Sequence, residues 1–289
     1  MKKIHGKTNR YASYLIGILI LLVQASCKPH RDNPRITVAS AGKISSVDPA
    51  QASTFNALQL ISALGDPLYR LSNKGELIPI LAIDKPRISD DGLSIFIPLR
   101  KGIFFHDGTI FDSAAMVFSI NRFINIGTTN YILGERIASV EALNPYLLKI
   151  NLNRKSSSIQ GLLTSINLTP VSPKSYKKFE DKFLNNAFIG TGPYKLINFS
   201  SHHQRIVPFK KYWGNSPYNE GIDYISLSNS TSLFVALKSK EIDVLISGAI
   251  DLDQSKYLNQ MSNKGLIKEG KGKALEIGFI SINTNSPPM

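Results

Sequence analysis

The sequence has a single cysteine among its 289 residues. One thiol cannot form an internal disulfide, and it cannot build a zinc or iron–sulfur site that needs two or more cysteine ligands. A metal site would therefore depend on histidines and carboxylates. Only five histidines are present, and the adjacent pair His202 and His203 is expected in a solvated turn, so we predict no metal site.

Short motifs of enzyme chemistry are also absent. The sequence contains no GxxxxGK loop completed by Ser or Thr, no GxSxG nucleophile turn, no HExxH zinc motif and no calcium-binding loop. Ser175 and Lys178 have the SxxK spacing of penicillin-recognising enzymes, but neither an SDN nor a KTG partner accompanies them. We therefore predict that the protein is not an enzyme and has no cofactor.

Apolar runs long enough to span a bilayer are missing as well. The run from Tyr14 to Val23 has ten residues, whereas a membrane span needs roughly 20. Basic residues precede it without any acid, at positions 2, 3, 7 and 10. A basic start followed by a short apolar run predicts a secretory signal and not an anchor helix.

The one cysteine, Cys27, directly follows Ala25 and Ser26. This arrangement resembles a bacterial lipoprotein signal, in which the cysteine becomes the lipid-modified first residue. The resemblance implies a signal peptide over residues 1–26, lipidation at Cys27 and a polar tether over 27–34. It implies an exported protein on the periplasmic or cell-surface side, lipid-anchored to a membrane surface. An ordinary signal peptide with an incidental cysteine is the alternative.

Acidic residues are fewer than basic ones, 21 against 34. Without residues 1–26 the balance is 30 against 21, a net charge of +9. The excess is dispersed, and no arginine-rich block or alternation of aromatic and basic residues marks a nucleic-acid groove. We predict no nucleic-acid partner and a basic surface that faces anionic lipid headgroups.

Hydrophobic periodicity predicts an α/β organisation, because segments of period two alternate with segments of helical period. Strands are predicted over 35–39, 93–99, 147–152, 194–199, 205–209, 222–227 and 243–247, the last of them buried. Helices are predicted over 55–64, 113–124 and 232–240. On the first helix, Phe55, Leu58, Ile61 and Leu64 are expected to share the buried face.

A series of motifs carries a family resemblance. In order they are DPLYR (66–70), SNKGELIPILA (72–82), ISDDGL (88–93), LRKG (99–102), FHDGT (105–109), GTGPYKL (190–196), YWG (212–214) and KEID (240–243). They resemble the extracellular solute-binding proteins of family 5, which are the oligopeptide-, dipeptide- and nickel-binding lipoproteins of ABC importers. Gly190 and Gly192 are expected to be turn glycines, and Trp213 an apolar anchor.

The resemblance implies an α/β, periplasmic-binding-protein-like (type II) first lobe, a mixed sheet with flanking helices. Residues 35–70 and 175–289 would form the core of lobe I, and 71–174 an inserted subdomain. Family members are longer and continue into a second lobe after a strand whose pattern resembles 278–288. We therefore expect the second lobe to be missing from this chain.

The same resemblance implies a truncated substrate-binding lipoprotein of a peptide ABC importer, with a peptide ligand and an inner-membrane permease as partners. Ligand contacts are expected from Ser53, Thr54 and Phe55, from Ser247, Gly248 and Ala249, and from Phe279 and Ser281. For each of these residues, packing alone is the alternative. The ligand could equally be a nickel chelate or a sugar. A non-transporting remnant of a disrupted gene, or a basic envelope-surface protein, is the alternative function.

Overall fold

The structure is a computed structural model that describes residues 34–246 and 250–270. Several predictions from the sequence lie outside the described residues. These are the signal segment and Cys27, the cleft residues Ser247, Gly248 and Ala249, and the terminal residues Phe279 and Ser281.

A five-stranded mixed sheet forms the centre of the fold, in the order β11-β1-β10-β9-β8. Its strands are β1 (Ile36–Ala41), β8 (Tyr194–Phe199), β9 (His203–Pro208), β10 (Ile222–Leu227) and β11 (Val244–Leu245). β1 runs parallel to both β10 and β11, whereas β9 runs antiparallel to β10 and β8. The three parallel strands therefore end at the same edge.

Two antiparallel sheets lie between β1 and β8 in the sequence. One pairs β2 (Tyr69–Leu71) with β3 (Leu77–Pro79). The other has the order β4-β5-β7-β6 and consists of β4 (Arg87–Ile88), β5 (Ser94–Pro98), β6 (Ile137–Asn144) and β7 (Leu147–Leu152). The alternating apolar residues of β5 and β7, such as Ile95 and Ile150, are fully buried in one cluster. The predicted division into a lobe core and an inserted subdomain over 71–174 stays a prediction.

The helices are α1 (Phe55–Leu64), α2 (Ser113–Ile126), α3 (Tyr131–Gly134), α4 (Ile159–Leu162), α5 (Pro173–Tyr176), α6 (Ser230–Lys238) and α7 (Leu252–Asn263), with 3₁₀ turns at Ile166–Leu168 and Lys177–Phe179. The side chains of Thr54, Asp112, Asn229 and Asp251 cap α1, α2, α6 and α7. No helix within residues 34–246 and 250–270 is long and apolar enough to cross a membrane.

Helices α1 and α6 cover opposite faces of the five-stranded sheet. Neighbouring residues of a strand point to opposite faces. Tyr224 of β10 packs in the cluster that contains the buried side chains of α1, and Ile225 packs with Leu233 and Ala236 of α6. The mixed sheet with flanking helices that the sequence predicted is confirmed.

Several details of the prediction differ from the structure. Phe55 is 46% exposed, and the buried face of α1 consists of Ala57, Leu60, Ile61 and Leu64. Phe55 is the first residue of the helix. Within the described residues, the predicted buried strand over 243–247 contains the two-residue strand β11, which pairs with β1 alone, and its Val244 is 44% exposed. Helix α6 begins two residues earlier than predicted because Asn229 caps it.

Candidate functional site at the carboxyl edge of the sheet

The carboxyl ends of β1, β10 and β11 define a candidate binding site. Strand β1 lies between the other two, so the chain leaves this edge toward both sides of β1. In open α/β sheets, ligands bind outside the carboxyl ends of the strands at such a reversal of strand order. We call the segments 42–56, 228–232 and 250–252, which follow these strands and begin α1, α6 and α7, the carboxyl-edge site.

The start of α1 presents the three predicted contact residues of this site that are described. Ser53, Thr54 and Phe55 are exposed, which leaves them accessible to a ligand. The Thr54 side chain accepts the backbone N–H of Ala57 at 3.4 Å. The Asn56 amide donates a hydrogen bond to the carbonyl oxygen of Ala41, the last residue of β1, and this ties the start of α1 to the strand.

The starts of α6 and α7 are joined to each other. Asn229 Oδ1 accepts the N–H of Ser232 at 2.8 Å, and Asp251 Oδ1 accepts the N–H of Gln254 at 3.0 Å. Ser230 Oγ lies 3.3 Å from Asp251 Oδ2 and donates a hydrogen bond to it. Two capped helix starts therefore form a polar border beside the end of β10. The predicted contact residues Ser247, Gly248 and Ala249, which precede α7 in the sequence, lie outside the described residues.

The loop that leads into α1 is held by a buried ion pair. Arg122 of α2 donates to both carboxylate oxygens of Asp48, with Nη1–Oδ1 2.8 Å and Nη2–Oδ2 2.7 Å. Both side chains are buried. The Asp48 carboxylate is bonded by Arg122 and by neighbouring backbone N–H groups. The ion pair therefore holds the loop without leaving an unpaired buried charge.

Hydrogen bonds from Asn167 and Thr128 also hold the loop that leads into α1. The Asn167 amide donates to the carbonyl oxygens of Pro49 at 2.7 Å and Ala52 at 2.8 Å. The N–H of Thr128 donates to the carbonyl oxygen of Ala50 at 2.8 Å. Ser53 and the residues after it are therefore presented from a fixed backbone, which favours a preformed binding surface.

The KEID motif has a definite structural role beside β1. Asp243 Oδ2 accepts the N–H of Thr37 at 2.7 Å, and the N–H of Asp243 donates to the carbonyl oxygen of Thr37 at 2.9 Å. Ile242 is buried against α6. These two hydrogen bonds between Asp243 and Thr37 fix β11 beside β1, and they set where the chain leaves the carboxyl edge. Sequence analysis identified the motif but did not predict this role.

Groups with shifted pKa values lie at the other end of α1. Burial raises the pKa of Asp66, although hydrogen bonding from Trp213 Nε1, 3.0 Å from Asp66 Oδ2, and the charge of Arg70 act against it. Trp213, predicted as an apolar anchor, therefore also donates a hydrogen bond to a buried carboxyl group, and the centroid of its ring lies 4.5 Å from the Arg100 guanidinium. With ten residues in α1, this end is about 15 Å from the carboxyl edge.

Gly190 and Gly192 are glycines for reasons of space. A Cβ atom on Gly192 would lie 2.4 Å from the backbone carbon of Leu64, and one on Gly190 would lie 2.7 Å from the Leu64 carbonyl oxygen. Neither glycine has the positive φ that favours glycine, so close packing explains them better than backbone conformation does. They permit close approach of the GTGPYKL segment to the end of α1.

Comparison with protein families decides the relationship. The family described as "Bacterial extracellular solute-binding proteins, family 5 Middle" matches residues 76–289. The chain belongs to this family. Its members are binding proteins and not enzymes. Within the described residues, no group of three or more His, Cys, Asp or Glu side chains could hold a metal ion.

Individual relatives agree with the family and the fold. The chain is 25% identical to the glutathione-binding protein GsiB of Escherichia coli over 281 residues, which is 94% of this chain and 52% of GsiB. The periplasmic binding protein DppA of Helicobacter pylori, solved with the peptide STSA, is 24% identical with a TM-score of 0.70 and matches 79% of this chain and 49% of DppA.

NikA of Brucella suis, solved with Fe(III)-EDTA, is 24% identical with a TM-score of 0.71 and matches 79% of this chain and 47% of NikA. The type II periplasmic-binding-protein architecture is thus confirmed. The chain spans about half the length of the curated relatives it matches.

Proposed function

We propose that this chain forms one side of the ligand cleft in a peptide-binding component of an ABC importer. The observation that carries the proposal is the exposed segment Ser53–Thr54–Phe55 at the carboxyl edge of a family 5 fold. Two relatives support a peptide ligand, because GsiB is named for glutathione and DppA was solved with a peptide. NikA with Fe(III)-EDTA is the reason for testing the ligand class directly.

The chemistry of the segment suits a peptide of variable sequence. Ser53 and Thr54 offer short hydroxyl groups, which can hydrogen-bond the polar backbone of a ligand whatever its side chains. The exposed ring of Phe55 can cover an apolar side chain. Recognition through backbone groups and one apolar contact gives affinity with little sequence preference.

The proposal includes the place where the protein acts. Export by the segment 1–26 and acylation of Cys27 would hold the binding surface close to a membrane, where the permease of an importer resides. The dispersed positive charge of the chain suits this position, because anionic headgroups attract basic surfaces.

Site-specific photo-crosslinking tests the proposed ligand and site together. The full chain carrying p-benzoylphenylalanine in place of Phe55 is irradiated with a biotinylated mixed-sequence tetrapeptide library. We expect saturable labelling that excess unlabelled library suppresses. The control carries the same photo-crosslinker in place of Ile83, an exposed apolar residue outside the carboxyl-edge site, and should give only background labelling.

Equal labelling at both positions, or labelling that the unlabelled library does not suppress, would contradict the peptide cleft. It would favour the alternative of a non-transporting remnant or a basic envelope-surface protein. Suppression by nickel–histidine chelates or oligosaccharides but not by peptides would keep the site and overturn its ligand.

A further inference from the structure

A second pocket lies at the opposite edge of the five-stranded sheet. It has a volume of about 730 Å³, within the range of small-molecule sites. It is built from the end of β9, the start of β8 and the connection to β10. Its lining includes His106, Lys195, Phe209, Lys210, Lys211 and Glu220. Since β10 begins where β9 ends, this amino-edge pocket is separate from the carboxyl-edge site.

An aromatic pair forms one wall of the amino-edge pocket. The rings of His106 and Phe209 meet edge to face, with centroids 5.0 Å apart. His106 Nε2 lies 3.1 Å from the carbonyl oxygen of Gly192. Burial lowers the pKa of His106 to about 4, so the ring is uncharged at neutral pH. Val207 and Pro208 extend the apolar wall.

Three lysines surround this apolar wall. Lys195, Lys210 and Lys211 are exposed at the pocket, and Lys211 Nζ lies 5.3 Å from the centroid of the Phe104 ring. Ammonium groups beside apolar surface provide the combination that binds an anionic group attached to a hydrophobic body.

Two acids also line the amino-edge pocket, Asp107 and Glu220. Asp107 is bonded within the protein, since Oδ2 accepts Ser172 Oγ at 2.6 Å and Ser175 Oγ at 2.8 Å, and Oδ1 accepts Thr109 Oγ1 at 2.6 Å. This network is the structural role of Ser175, whose SxxK spacing resembled an enzyme motif. Glu220 is exposed and weakens the positive field, so its removal should strengthen anion binding.

A smaller cavity adjoins the amino-edge pocket. Its volume is about 300 Å³, and it shares His106, Asp107 and Lys195 with the larger one. The remaining wall includes Phe188 and Phe199. Because the two cavities share a wall, an anion held by the lysines has apolar surface on both sides. The hydrophobic part of the ligand can therefore also leave water.

We propose that the amino-edge pocket is a binding site for a small organic anion, a phosphate or carboxylate attached to an aromatic or short alkyl body. The anionic head lies among Lys195, Lys210 and Lys211, and the apolar body lies against Phe209 and His106. The site is independent of the proposed peptide cleft. A protein with both sites binds two chemically different ligands at opposite edges of one sheet.

Calorimetric titration of the full chain with phenyl phosphate tests this site. We expect saturable binding, and binding at least about tenfold weaker in the Lys210→Gln/Lys211→Gln variant, because two charge-assisted contacts are lost. The control Lys74→Gln/Lys85→Gln removes the same charge from exposed lysines outside the lining and should bind like the wild type. Glu220→Gln should bind about twofold to threefold more tightly.

Two further titrants separate the head from the body of the ligand. Inorganic phosphate lacks the apolar body and phenol lacks the charge, so each should bind at least about tenfold more weakly than phenyl phosphate. Equal binding of inorganic phosphate would overturn the amphiphilic site and leave simple charge attraction. The proposed site would also be wrong if both lysine double variants lost the same affinity for phenyl phosphate, or if phenyl phosphate binding did not saturate.

Binding to vesicles that contain phosphatidylglycerol tests whether the lysines contact a membrane surface instead of a small anion. If the Lys210→Gln/Lys211→Gln variant loses vesicle binding while phenyl phosphate binds neither protein, the lysines contact a membrane surface and the small-anion site is wrong. Saturable binding of phenyl phosphate with unchanged vesicle binding in the variant would support the pocket as proposed.

Discussion

Asp48 and Arg122 face each other inside the fold, 74 residues apart in the sequence, with two parallel hydrogen bonds of 2.8 and 2.7 Å. Their side chains are 0% and 3% exposed. Asp48 also accepts the N–H groups of Ala50 at 2.9 Å and Leu184 at 2.7 Å. Arg122 Nε donates to the carbonyl oxygen of Phe179 at 3.2 Å. One ion pair therefore joins the loop before α1, helix α2 and the segment that follows α5.

Arg122→Met should destabilise the protein by about 3–5 kcal/mol, because it leaves the Asp48 carboxylate buried without its partner. Urea unfolding followed by circular dichroism measures the change. The matched control is Asp253→Asn, which breaks the exposed pair between Lys256 and Asp253 and should cost less than about 1 kcal/mol. Similar small losses in both variants would show that the buried pair does not hold the loop.

Asp243→Ala should loosen β11 from β1. The variant leaves the N–H of Thr37 without the carboxylate that accepts it at 2.7 Å, and we expect a loss of about 1–2 kcal/mol. Asp243→Asn keeps an acceptor oxygen at the same place and should lose less than half as much. Amide hydrogen exchange at Thr37 reports the contact directly. Unchanged protection of the Thr37 amide from exchange in the alanine variant would contradict the proposed role of Asp243.

Local pattern was sufficient for the elements whose burial is regular. The predicted bounds of α1, β7, β8 and β10 agree with the structure, because β7 alternates regularly between buried and half-buried residues and Gly65 marks the end of α1. The exposed position of Val244 could not be predicted, because it depends on which strand lies at the edge of the sheet. The order of the strands arises from pairings between distant segments and leaves little trace in local sequence.

The site was only partly predictable for the same reason. Ser53, Thr54 and Phe55 came from the family resemblance, and the structure leaves all three exposed, while their contact with a ligand stays a prediction. The residues that fix this edge were missed. Asp48 within the apolar context VDPA, and Arg122 among buried positions of α2, were available signals, since a charge in such a place usually has a partner. Nothing local indicated that these two residues pair with each other.

Stability should depend on pH through His106. Burial lowers its folded-state pKa from 6.5 to about 4, so the unfolded chain binds a proton before the folded one does. The contribution is complete above pH 6.5 and is lost as the pH falls toward 4, by up to about 3 kcal/mol. In His106→Gln this part of the pH dependence should disappear.

The control for His106 is His202→Gln, which changes an exposed histidine of the β8–β9 turn and should retain the wild-type profile. Urea unfolding between pH 4 and 7.5 gives the comparison. Parallel profiles for wild type and His106→Gln would show that His106 is not kept neutral by burial.

The last prediction concerns Cys27, whose position after Ala25 and Ser26 predicts acylation. Each CH₂ group of an acyl chain that enters a membrane or micelle contributes about 0.8 kcal/mol, so acylated protein should partition into the detergent phase of a Triton X-114 extraction. Cys27→Ser removes the only thiol in the chain and should move the protein to the aqueous phase. Ser26→Ala keeps a small residue before Cys27 and should partition like the wild type. Recovery of wild-type protein in the aqueous phase, from a host that processes lipoproteins, would leave an ordinary signal peptide as the correct interpretation of residues 1–26.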